Sequence, residues 1–270
     1  MTDDRLGADG FSAPFRVRFD EAGPDGRLRT SGLLRYTQDL AAQHSEALGY
    51  DRAWYAARGL TWMVRTAAIE IGRPIPYGSL LTGTTRVVGF RRVWSRRRST
   101  FRLGADVVAV VGIDWVLLDE RGAPTRIPPE FETIFGLVAA PDGPLQLARV
   151  TLDGPEPATG TRHEIAVREH ELDPLDHVNN AAYADWVDEA VLGAAPDGGS
   201  AIVRAIPRRV RLEYALPATG GERLESTCWP AADGWSCRIG RPADGAELLR
   251  ARLEPDPRPE APAGRRSDPR

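Results

Sequence analysis

The stretch Glu171-Leu172-Asp173-Pro174-Leu175-Asp176-His177-Val178-Asn179-Asn180-Ala181-Ala182-Tyr183 packs a carboxylate, an imidazole and two carboxamides into one turn. A helical run follows over residues 181–191, with Tyr183, Trp186, Val187 and Val191 on one stripe. Asn179 or Asn180 is suited to cap it, because the side-chain oxygen accepts a hydrogen bond from an otherwise unpaired amide. A helix N-terminus carries free N–H groups and a partial positive charge. A carbonyl oxygen that gains negative charge is stabilised there. A carboxylate beside such a hole is the minimum needed to attack an ester or thioester. Asp173 would attack the carbonyl or deprotonate a water that does, and backbone N–H groups from Val178 to Asn180 would hold the oxyanion. His177 would orient substrate or water, or assist proton transfer. Turn formation and capping account for the Asp and the Asn, but not for the His or the aromatic stripe.

Composition removes several other chemistries. The basic residues are all Arg, so neither Schiff-base catalysis nor a P-loop lysine is available, and no Gly-x-Ser-x-Gly elbow occurs. A net charge of -3 gives no global field for nucleic acid. The four His show no zinc-ligand spacing, so no metal or other cofactor is expected. Cys228 and Cys237 flank a short hairpin and are expected to be unremarkable, reduced strand residues of a cytoplasmic protein. No apolar run reaches the roughly 20 residues of a membrane span, and the polar N-terminus lacks a targeting core.

The elements that must position the motif follow from periodicity. Residues 1–12 and 254–270 read as disordered tails, and 136–160 as a Pro/Gly/Ala-rich linker. In the first unit, residues 15–19 alternate as a strand. A helix over 31–48 presents Leu33, Leu34, Tyr36, Thr37, Leu40 and Ala41 and stops at Gly49. Strands are predicted over 61–71, 80–91, 99–107 and 109–118. The second unit repeats the plan, with strands over 162–169, 201–214, 222–229, 234–239 and 247–253 around the helix at 181–191.

One constant offset overlays Leu33, Tyr36 and Asp39 on Tyr183, Trp186 and Glu189. It also sets Gly23 opposite Asp173 and Arg27 opposite His177. Met63-Val64-Arg65 then resembles Ile202-Val203-Arg204, and the turns at Pro76-Tyr77-Gly78 and Pro217-Ala218-Thr219-Gly220 correspond. This reads as an internal duplication whose first copy lacks the acid and the imidazole.

A duplicated helix wrapped by an antiparallel sheet suggests an α+β fold, a tandem hotdog. His177-Val178-Asn179-Asn180-x-x-Tyr183-x-x-Trp186, with Asp173 four residues ahead of the His, resembles hotdog thioesterases. In the first half, Gly32-Leu33-Leu34-Arg35-Tyr36-Thr37-Gln38-Asp39, Thr61-Trp62-Met63-Val64-Arg65 and Ile113-Asp114-Trp115-Val116-Leu117-Leu118 are similar to segments of plant and bacterial acyl-ACP thioesterases. The resemblance covers about residues 13–253. It implies an acyl-binding hotdog at 13–135 with a degenerate site, a catalytic hotdog at 161–253, and acyl carrier protein as partner, with a CoA thioester as the alternative carrier. The family pattern also has an Asn between the Asp and the His and a Glu, often beside a Cys, on a later strand. This sequence has Leu175 at the first position and Pro217 and Ala218 at the others, which favours a simpler Asp-centred mechanism.

Trp62, Met63, Val64, Leu33 and Tyr36 are candidates to line an acyl channel. Arg91, Arg92, Arg96, Arg97 and Arg98 form the densest local charge and suit a docking patch for the acidic carrier or for CoA phosphates. Two other activities share these features: a hydroxyacyl-thioester dehydratase and a non-catalytic acyl-thioester-binding protein. A tandem hotdog closes its own pseudo-dimer, so the chain is expected as a monomer or a homodimer.

Overall fold

The computed structural model describes residues 6–7, 10–135, 149–153, 160–194 and 198–255. The first half runs β1 (Leu6–Gly7), β2 (Gly10–Arg16), α1 (Thr30–Ala47), α2 (Arg52–Ala56), β3 (Thr61–Ile71), β4 (Leu80–Arg91), β5 (Trp94–Leu103), β6 (Asp106–Leu118) and α3 (Glu130–Ile134). The second runs β7 (Thr161–Ala166), α4 (Asn180–Ala194), α5 (Gly198–Arg204), β8 (Arg208–Tyr214), β9 (Arg223–Ala231), β10 (Gly234–Arg241) and β11 (Ala246–Pro255).

The strands form an 11-stranded sheet in the order β1-β2-β4-β5-β6-β3-β8-β11-β10-β9-β7. Apart from β1, the order of the second half reflects that of the first about the β3–β8 junction. There the strands pair antiparallel, with Thr66 opposite Glu213 and Glu70 opposite Arg209. Each half wraps one long helix, α1 against β2, β4 and β6 and α4 against β7, β9 and β10, and the two helices touch each other. This is the expected tandem hotdog.

The helices are held by the stripes that the periodicity marks. Leu33, Leu34, Tyr36, Thr37 and Leu40 are buried on α1, and Tyr183, Trp186, Val187 and Val191 on α4. Each large apolar side chain so buried contributes about 1.5–3 kcal/mol. Gly83 on β4 lets α1 approach. A Cβ there would stand 2.8 Å from Leu40 and 3.0 Å from Phe15. Gly49 ends the α1 region with a positive φ of 86°.

Several expectations need correction. Residues 10–12 belong to β2, which pairs with β4 along a full register from Phe11 to Arg16, so part of the expected leader is a strand. That strand stops at Arg16, and Phe19 is 83% exposed in a short 3-10 turn. Ile202-Val203-Arg204 lies in α5, so its match to Met63-Val64-Arg65 on β3 does not hold. A helix also fits its lack of strict alternation. The linker is docked where it is described: the Val150 N–H donates to Glu213 Oε2 at 2.8 Å, and Trp229 Nε1 donates to the Asp153 carbonyl at 3.0 Å. The other linker residues, 136–148 and 154–159, and the tail from 256 lie outside the described residues. Cys228 and Cys237 are not independent strand residues. They are directly opposed on β9 and β10, with Cα atoms 4.2 Å apart, and form a disulfide. Among the described residues no helix is long and apolar enough to cross a membrane.

Candidate active site

The turn before α4 is built by its own polar groups. Asp173 N–H donates to the His177 carbonyl at 2.7 Å, and Asp176 N–H to the Asp173 carbonyl at 2.9 Å. Leu175 N–H donates to Asp173 Oδ1 at 2.8 Å, an Asx turn that fixes the carboxylate. Asp176 takes a positive φ of 61°, a conformation that Asp tolerates better than most residues. Asn179 is the cap, its Oδ1 accepting from Ala181 N–H at 2.9 Å.

The expected oxyanion donors divide once the bonds are traced. Val178 N–H is bound to the Ala218 carbonyl at 2.9 Å, and Asn179 N–H to the Glu171 carbonyl at 2.8 Å. Both are committed to structure, which corrects their assignment to the oxyanion. Asn180 opens α4, so its N–H has no intrahelical acceptor and remains available. Its own carbonyl accepts from Tyr214 Oη at 3.0 Å. Tyr183 Oη accepts from Ala218 N–H at 3.0 Å. Burial pushes the phenols of Tyr183 and Tyr214 above their usual range and keeps both protonated.

The first copy reproduces the backbone bonds of this scaffold. Gly23 N–H donates to the Arg27 carbonyl at 2.8 Å, Gly26 N–H to the Gly23 carbonyl at 2.9 Å, and Leu28 N–H to the Ile75 carbonyl at 2.9 Å. Gly26 has the positive φ that Asp176 has. Glu21 accepts from Arg18 N–H and Tyr36 Oη, as Glu171 accepts from Arg168 N–H and Trp186 Nε1. The turn is thus duplicated as structure, and only the second copy carries the acid and the imidazole.

A cavity of about 780 Å³ joins the two halves. Asp173, Leu175, His177, Asn180, Tyr214 and Pro217 line it from the second half. Asp173 and His177 thus border one common space, but no hydrogen bond links their side chains to each other. His177 Nδ1 is buried with no partner among the described residues. The first half supplies the apolar walls, among them Trp62, Met63, Val64, Phe90, Phe131 and Phe135. Of the expected lining residues, Leu33 and Tyr36 do not reach the cavity: Leu33 is core and Tyr36 is tied to Glu21. Sequence reasoning missed the wall made by α3, where the i, i+4 pair Phe131 and Phe135 was the available signal. It also missed two arginines that join the halves. Arg52 Nη2 donates to the Pro174 carbonyl at 3.0 Å. Arg65 Nη1 donates to the carbonyls of Tyr214 and Ala215, the latter at 3.1 Å.

The arginine cluster is not one surface patch. Strand alternation splits it: Arg91, Arg92 and Arg98 are exposed, whereas Arg97 points inward and is 6% exposed. Arg96 forms a two-pronged pair with Asp114, at 2.6 and 2.9 Å. Arg97 is therefore removed from the docking expectation.

A second cavity of about 580 Å³ occupies the equivalent place beside the first-copy turn, lined by Gly23, Arg27, Arg29, Asp185, Asp188 and Arg208. Where the first cavity has Gln38 of α1, this one has Asp188 of α4, whose carboxyl is pushed up to about 7 by burial.

Residues 8–135 match the acyl-ACP thioesterase N-terminal domain, and residues 155–251 match the C-terminal domain of the same family. The dodecanoyl-[acyl-carrier-protein] hydrolase of Umbellularia californica is 24% identical over 94% of this chain and 70% of its own length. An uncharacterised Mycobacterium tuberculosis protein is 25% identical over 79% of this chain and 80% of its own. The fold is shared with an acyl-ACP thioesterase from Bacteroides thetaiotaomicron (TM-score 0.74, 14% identity, 90% of this chain and 96% of that one). It is shared equally with the 12:0-ACP thioesterase of Umbellularia californica (TM-score 0.73, 22% identity, 90% and 96%).

Proposed function

The chain belongs to the acyl-ACP thioesterase family, a family of thioester hydrolases, and on that premise we propose that it hydrolyses acyl-ACP with Asp173 as the general base. The observation that carries this reading is the shared cavity: Asp173, His177 and Asn180 line the same apolar space that the first half walls. The acyl chain occupies that space and leaves its thioester at the turn.

Asp173 Oδ1 is held by Leu175 N–H, so Oδ2 is the oxygen left for a water. The carboxylate takes a proton as the water oxygen bonds to the carbonyl carbon. The oxyanion accepts from Asn180 N–H at the positive end of α4. Collapse of the tetrahedral intermediate breaks the C–S bond, and the carrier thiolate leaves and takes up the proton. His177, which lines the cavity, orients the water or the carbonyl. The exposed Arg91, Arg92 and Arg98 offer a basic face to an acidic carrier.

A thiol-release assay across acyl-ACP and acyl-CoA chain lengths tests the proposal. Release from acyl-ACP supports it. Tight acyl-ACP binding without thiol release, or an enoyl thioester as product, overturns it.

A further inference from the structure

Arg97 brings a positive charge into the wall of a mostly apolar cavity. On β5 it shares the inner face with Ser95, and both line the space. Its Nη1 meets His44 Nδ1 at 2.8 Å, and its guanidinium carbon stands 5.7 Å from the Phe135 ring centre. Neither neighbour cancels the charge. Burial, with the adjacent Arg97, holds His44 down at about 3, so the imidazole is neutral. Burial also lowers Arg97 to about 10, which leaves it protonated at neutral pH. Among the described residues no carboxylate lies within ion-pair distance of it. Arg96, one residue earlier on the opposite face, shows the usual arrangement in its pair with Asp114. A buried charge without a counter-ion is costly, and the cost falls when an anion arrives.

The position of Arg97 sets what that anion is. Through the sheet it aligns with Ile113 on β6, Ala67 on β3 and Leu212 on β8. Three strand spacings separate it from β8 by about 14 Å. β8 carries Tyr214, which holds the Asn180 carbonyl at the hydrolytic turn. Arg97 therefore lies on the first-half wall of the chain-binding space, three strands away from β8 and beside Phe135.

Building on the thioesterase reading, we propose that the preferred substrate is an ω-carboxyacyl thioester, the half-thioester of a dicarboxylic acid, and that Arg97 receives its distal carboxylate. The planar fork of the guanidinium matches a carboxylate in two bonds, and the aromatic surroundings keep water from substituting for it. A terminal methyl in the same place leaves the charge unpaired.

The test pairs acyl-ACP thioesters of equal length that end in methyl or in carboxylate. They are assayed by thiol release with the natural protein, Arg97→Met and Arg97→Lys. The natural protein is expected to favour the carboxylate series by about 10- to 100-fold in kcat/KM, the factor of a charge-assisted hydrogen bond. Arg97→Met is expected to raise KM for the carboxylate series and to abolish or invert the preference for it over the methyl series, and Arg97→Lys to keep part of the preference. Equal or better hydrolysis of the methyl series by the natural protein overturns the proposal, and needs no variant to fold. No thiol release from either series instead overturns the thioesterase reading, and this proposal with it.

Discussion

Trp186 Nε1 donates to Glu171 Oε1 at 2.9 Å, and the carbonyl of the same Glu171 accepts from Asn179 N–H at 2.8 Å. The aromatic stripe of α4 thus reaches back and holds the turn that carries Asp173. Tyr36 and Glu21 make the same contact in the first copy, where no reactive group depends on it. Trp186→Phe and Tyr36→Phe should each cost about 1–2 kcal/mol by removing one of the hydrogen bonds that a part-buried carboxylate accepts. Only Trp186→Phe should also lower turnover. Thermal melts alongside thiol release separate the two effects, and equal activity in both variants would detach Glu171 from the site.

Asp173→Asn keeps an oxygen for Leu175 N–H and removes the base. It should lower kcat by about 10²–10⁴-fold with an unchanged melting temperature. His177→Ala should cost less if the imidazole only orients, and the same amount if the two act as a unit. Single-turnover hydrolysis in heavy-oxygen water tests for direct attack by Asp173. Such attack forms a mixed anhydride and expels the thiolate, and water opening the anhydride at the Asp173 carbonyl leaves the product's new oxygen unlabelled and puts the label on Asp173.

Asn179→Ala removes the α4 cap and should destabilise the protein by about 1 kcal/mol. The effect should appear in chemical denaturation as a lower midpoint with an unchanged slope.

His44 predicts an acid sensitivity. Its folded value of about 3 lies below the ordinary value near 6.5. Between the two, the unfolded chain binds a proton that the native protein does not. The stability is complete above about pH 6.5 and is lost as pH falls toward about 3. His44→Gln, which keeps an acceptor for Arg97, should show a smaller loss of melting temperature between about pH 7 and about pH 5. Parallel losses in the two proteins would exclude His44 as the cause.

Reversing the exposed charges in Arg91→Glu/Arg92→Glu should raise KM for acyl-ACP and leave kcat unchanged. The effect should shrink at high salt. Hydrolysis of a small acyl-pantetheine thioester serves as the control, since it needs no protein surface.

The sequence by itself determined the fold and the location of the turn. Periodicity in Leu33 to Leu40 and in Tyr183 to Val191 is a local property of the chain, and the helices lie where it puts them. The duplication was legible because turn chemistry is local too: Gly26 and Asp176 are residue types that accept the positive φ both turns require. What distant strands meet was not legible. Arg97 reads as one more member of a basic run, and only alternation on β5 and the packing of α1 against the sheet turn it inward onto His44. Cys228 and Cys237 become partners only through the β9–β10 register. Val178 and Asn179 lose their amides to Ala218 and Glu171, so the single amide left for an oxyanion, that of Asn180, was decided by tertiary structure. Hydrogen-bond partners remote in sequence follow from sheet register and layer packing, which no window along the chain contains.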